Sequence, residues 1–133
     1  MNTNRLALAS ISGFVFTFLY EWVFHGMLLQ DAYKATANLW RHPEQMENFF
    51  PYTIAYQVIF VIFAAFLFTR NYEVKGIGEG LRFGLFLGLF MGMIMSSFYF
   101  YMPIDKTLAL SWLTGAVIEG MGLGVIFSLT YRN

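Results

Sequence analysis

Four long apolar stretches, at about residues 6–29, 52–69, 83–102 and 107–131, occupy most of this 133-residue chain. Each has about the ~18–25 residues that a helix needs to cross a hydrocarbon core of ~30 Å. The expected fold is all-α: an integral membrane, antiparallel four-helix transmembrane bundle, forming a single domain over residues 1–133. An interfacial helical segment is expected between spans 1 and 2. Composition agrees with this reading. Charged residues make up 12% of the chain, against about 25% in a soluble domain, and hydrophobic residues 58%. A water-facing surface cannot be built from such a set. The formal net charge is zero, which leaves no basic face for nucleic acid. Cysteine is absent, removing disulfides, iron–sulfur ligation and thiolate catalysis together.

The first stretch follows Arg5 in the manner of a signal peptide, but it is long, contains Glu21 and His25, and has no small-x-small cleavage site. It is read as a retained span. Basic residues fall into two groups. Arg5, Arg70, Lys75, Arg82 and Arg132 flank one end of the spans, and Lys34, Arg41 and Lys106 the other. Five against three places both termini in the cytoplasm, with the bacterial inner membrane as the expected location. The Gln30–Pro51 loop is the one extramembrane segment of any size. Asp31 can cap a short helix reaching Trp40 or Arg41, Pro43 and Glu44 can start another turn, and the aromatic residues among the charges suggest an element on the membrane surface.

Two rows of small residues recur every four positions. Span 3 carries Gly80, Gly84, Gly88, Gly92 and Ser96; span 4 carries Ala116, Gly120, Gly124 and Ser128 after Trp112. Residues four apart share a helix face, so each row is a shallow groove suited to close van der Waals contact in lipid. The rows can pack on each other within one molecule or face a second copy. Span 2 has no such row and reads as a lipid-facing or peripheral helix, with Gln57 as its one polar interruption.

Polar residues inside the spans are the candidates for function. Span 1 carries Gly13, Thr17, Glu21 and His25 at four-residue intervals, and span 4 carries Glu119 near its middle. An acid at a span centre costs ~2.5–3.5 kcal/mol on the insertion scale, with Asp as the tabulated case. Leu, Ile, Phe and Val at ~0.3–0.6 kcal/mol each offset it. Three roles compete: a neutral acid tying spans 1 and 4 by a hydrogen bond, a proton or cation path through Thr17, Glu21, His25 and Glu119, or a metal site on Glu21, His25 and Glu119. The metal set is the weakest, because a carboxylate-bridged bundle site needs two Glu-x-x-His pairs. Met91, Met95 and Met102 near one face of span 3 read as packing.

The serines lack a histidine at useful spacing. The Gly76–Gly80 stretch lacks the Lys-Ser/Thr end of a phosphate loop and reads as a turn entering span 3. No catalytic set, cofactor or metal is expected. The expectation is a membrane protein acting by association, as an accessory subunit of a larger complex or a small homo-oligomer, with membrane lipid and other membrane subunits as partners. The alternatives are a proton- or cation-coupled transporter or channel, and a lipid- or quinone-binding module near Trp22, Trp40 and Tyr99.

Overall fold

The computed structural model describes residues 2–132; residues 1 and 133 of the expected 1–133 domain lie outside the described residues. The first helix, α1 (Thr3–Val23), runs on into one π-helical turn, Phe24–Leu28. A short helix, α2 (Gln30–Ala35), and a single 3-10 turn, Ala37–Leu39, then lead to α3 (Pro43–Arg70). Next come α4 (Ile77–Ser96), closed by a 3-10 turn at Ser97–Phe100, and α5 (Lys106–Thr130). The protein is all-α, and four of its helices are long and apolar enough to span a membrane.

Local chemistry sets the helix ends. Asn2 caps α1 by accepting from the Arg5 amide at 3.2 Å, and Asp105 caps α5 by accepting from the Leu108 amide at 2.7 Å. Each satisfies an amide that the helix itself leaves unpaired. Pro43 opens α3, where its missing N–H is harmless. The helix then carries straight through Pro51, so span 2 begins nine residues before the expected boundary. Its 28 residues reach about 42 Å, longer than the hydrocarbon core requires. In the loop, Leu29 rather than Asp31 precedes α2, which stops at Ala35. The Gly76–Gly80 stretch is a turn only at Gly76, whose φ of 71° suits a residue without a Cβ. From Ile77 it is already helix, so span 3 starts six residues earlier than expected.

The helix at the centre of the molecule is α5, and two glycine-bearing faces explain why. On one face Gly80, Gly84 and Gly88 of α4 lie against Gly124, Gly120 and Ala116 of α5. A Cβ on any of those α4 glycines would run into a backbone carbonyl across the interface. Gly92 meets Leu113, and Ser128 sits beside Gly80, while Ser96 at the end of α4 bonds only to its own Met93 carbonyl at 3.3 Å. The other face was not anticipated: Gly122 receives the ring of Phe16 from α1, and Gly115 that of Phe24 from the π-helical turn. Gly13 of α1 sits where Val61, Leu123 and Phe127 converge, so α3 packs on the far side of α1.

The helices therefore run α3–α1–α5–α4 across the bundle. At the end carrying both termini, a cluster of Ala9, Val61, Ala64, Ala65, Phe68, Leu123, Phe127 and Tyr131 is buried, with Phe68 and Phe83 joining α3 to α4 at 5.3 Å between rings. At the opposite end, α2 and the 3-10 turn fold over the start of α5, packing Tyr33, Leu39 and Trp40 on Leu108, Ala109 and Trp112. The segment between spans 1 and 2 is thus a cap on the bundle. The first part of α3, Pro43–Thr53, is exposed throughout.

Candidate functional site

Beneath that cap the polar residues of spans 1 and 4 meet. The row Gly13, Thr17, Glu21, His25 runs along the side of α1 that faces α5, and Tyr20 and Phe24 beside it fix the level. The Tyr20 hydroxyl donates to the Gly115 carbonyl at 2.7 Å, and Phe24 covers the same glycine. Across this contact lies the Glu119 carboxyl, only 5% exposed and one turn along α5 from Gly115, on the side of Glu21.

From Glu21 a chain of polar groups leads to the capped end. His25 Nε2 lies 3.5 Å from a Glu21 carboxylate oxygen. His25 Nδ1 is 2.5 Å from the Tyr33 hydroxyl, which accepts from Trp112 Nε1 at 2.8 Å. Indole N–H is a donor only, so it takes a lone pair of the Tyr33 oxygen. With His25 neutral, Tyr33 gives its O–H to Nδ1, and the imidazole proton sits on Nε2, facing Glu21. With His25 charged, Tyr33 still has a second lone pair for Nδ1–H. The chain thus accommodates either protonation state without moving a heavy atom.

The π-helical turn explains how His25 reaches both partners. Its bond runs from the Leu29 amide to the Phe24 carbonyl, five residues back, at 3.0 Å. One extra residue in the turn widens the helix where His25 leaves it, a local distortion often found where a side chain must be re-aimed. The rings continue the contact: His25 stacks with Tyr33 at 5.9 Å, and Tyr33 with Trp40 at 5.5 Å and Trp40 with Trp112 at 6.2 Å meet edge to face. Tyr33 lies in α2, outside the spans. Burial holds its phenol above the ordinary value of 10.0, and the Glu21 charge acts in the same direction against the Trp112 hydrogen bond. Tyr33 therefore remains a donor through the neutral range.

In the other direction the chain stops. Thr17 is 2% exposed and its hydroxyl has no partner; Gln57 Oε1 on α3 is also buried and unpartnered. Gly13 faces Val61, so one turn further along each antiparallel helix the register sets Thr17 opposite Gln57. Gln57 makes no cross-helix bond through this oxygen. Beyond them the core is chiefly Val61, Leu123, Phe127 and Phe68, all fully or almost fully buried, and the buried Ser128 hydroxyl is committed to the Val125 carbonyl. Polar access extends from the capped end to mid-bundle, and the half toward the termini is dry.

The remaining candidates are dispersed. His42 precedes α3 in an exposed position. Among the described residues no three His, Cys, Asp or Glu side chains gather as a metal site would require. The proposed aromatic groove does not assemble: Trp22 is exposed, Trp40 is inside the cap, and Tyr99 pairs with Phe100. Met95 and Met102 pack against the capping cluster. Sequence reasoning missed Tyr33 and Trp112 as chain members. The available signal was a tyrosine two helical turns beyond a membrane histidine; nothing in the sequence announces the π turn.

Fold and site together define a four-span helical membrane protein with an acid pair, a histidine and a tyrosine in series. No protein family, curated protein or solved structure matches the chain.

Proposed function

We propose that this protein is a small proton-coupled membrane transporter whose Glu21–Glu119 pair takes up and releases a proton through His25 and Tyr33. The observation that supports it is the series Trp112–Tyr33–His25–Glu21, linked from the capped end inward, with the buried Glu119 carboxyl on the facing helix. Intramembrane acid and imidazole chains are rare, and they mark proton relays when they face a bundle interior. The mostly apolar half below Thr17 and Gln57 favours a carrier over an open channel, because a proton arriving at Glu119 finds no hydrogen-bonded chain leading on toward the terminal side. The five basic residues at the terminal end against three at the capped end support an orientation with both termini in the cytoplasm of a bacterial inner membrane. The relay then opens away from the cytoplasm.

The test is proton uptake into proteoliposomes holding a pH-sensitive dye under an imposed membrane potential. Wild type is expected to exceed empty vesicles, with the excess lost in Glu119→Gln and in His25→Ala. Equal uptake by wild type and both variants overturns the reading.

A second reading, association with another membrane subunit or a second copy, is favoured by one observation. The Pro43–Thr53 stretch of α3 is exposed on all sides, including Phe49, Phe50 and Tyr52. The glycine rows do not support it, since they are occupied by each other. Native mass spectrometry after gentle extraction tests it: a heavier complex supports association, and a bare monomer removes it.

A further inference from the structure

At the opposite end of the bundle from the acid pair, the connection between α3 and α4 borders an open pocket of about 370 Å³. This lies within the ~300–1,000 Å³ typical of small-ligand sites. Phe68, Phe83 and Phe86 form its apolar side, and Glu73, Lys75 and Arg82 its polar rim. Glu79 belongs to the wall: its two carboxylate oxygens accept the Glu73 amide at 2.6 Å and the Lys75 amide at 2.8 Å, which fixes the loop around the opening.

The rim groups are bound only to one another. The Glu73 carboxylate pairs with the Lys75 ammonium and lies 3.8 Å from Arg82 Nη2. The Lys75 hydrogen bond, then its charge, holds the Glu73 carboxyl below the usual carboxylate value, so it is an anion at neutral pH. All three side chains are more than half exposed. Ion pairs this open contribute little and exchange readily for a ligand of matching charge. The rim thus carries two cations and one anion beside aromatic rings, at the end of the apolar spans. Phe86 is itself exposed on the lipid side.

We propose that this pocket binds a glycerophospholipid with a primary-amine headgroup. Its phosphate lies between Lys75 and Arg82, its ammonium donates to Glu73, and its first methylenes rest on Phe83 and Phe86. A phosphoglycerol headgroup offers Glu73 only a neutral hydroxyl donor, a weaker partner for a carboxylate than an ammonium. A trimethylammonium headgroup has no N–H to donate to it.

Lipid-stripped protein in detergent, titrated with phosphatidylethanolamine, phosphatidylcholine and phosphatidylglycerol of identical acyl chains, decides the matter by native mass spectrometry. Phosphatidylethanolamine is expected to saturate at one per chain, about tenfold tighter than either competitor, the gain of one charge-assisted hydrogen bond. Glu73→Gln should abolish the preference over phosphatidylcholine, and Arg82→Gln should weaken both lipids. Equal binding of the three lipids by wild type overturns the proposal, as does a preference that survives Glu73→Gln.

Discussion

Tyr33 is where the candidate site is most sensitive to a single atom. Its oxygen accepts from Trp112 and meets His25 Nδ1, so Tyr33→Phe leaves an indole N–H and an imidazole nitrogen unpaired at once. Proton uptake in proteoliposomes is expected to fall at least tenfold in that variant, more than in Tyr20→Phe, whose hydroxyl is committed to a backbone carbonyl. Because its phenol is raised above 10.0 in the fold, stability contributed by neutral Tyr33 is complete below that pH and is lost as pH rises through the higher folded value. An absorbance titration should show late-ionising tyrosine whose amplitude falls by one residue in Tyr33→Phe. Val74 is the reverse case, a residue the fold strains. It is the one non-glycine residue at positive φ among those described, at 62°, and its side chain is 63% exposed. A β-branched residue there is unfavourable by ~1–2 kcal/mol, whereas Asn tolerates the conformation. Val74→Asn should raise the thermal midpoint in detergent.

Among the elements, the α4–α5 contact holds the bundle most tightly and is the least tolerant of change. In lipid, apolar burial gains little, so the association rests on backbones close enough for carbonyls to touch the opposite helix. Gly84→Val should destabilise by about 3 kcal/mol or more, since the clash is with backbone at Gly120 and Met121 and no side chain can step aside. Gly78→Ala, in the same helix with open space around it, should instead stabilise by ~0.5–1 kcal/mol. Thermal unfolding of the two variants side by side separates packing from propensity. Four-residue spacing made these rows legible in the sequence, because it maps directly onto one helix face. The Gly115 and Gly122 face was not legible. A seven-residue interval without flanking repeats looks incidental until the Phe16 and Phe24 rings are seen to fill it. Pro51 misled for a related reason: it reads as a boundary, yet α3 continues through it to Pro43.

For the whole molecule, the division into a polar half and a dry half predicts one-sided access to the acid pair. The absence of native cysteine makes this directly measurable. Glu21→Cys should react with a membrane-impermeant thiol reagent added on the capped side, and Leu123→Cys with reagent from neither side. Labelling of Leu123→Cys from the terminal side would contradict the dry half.

The chain alone determined that it spans a membrane four times as helices, because hydropathy and length are summed along the chain and need no partner. It also marked Glu21, His25 and Glu119 as costly residues, since charge in hydrocarbon is unfavourable wherever the helices lie. Only the tertiary structure decided which helix is central, and that the two glycine rows face each other. It alone placed Tyr33 over His25 through a π turn and left Thr17 and Gln57 without partners. Each of these depends on the rotation of one helix about its axis against another. That angle is set by side-chain fit across the contact, and no single strip of sequence contains both surfaces.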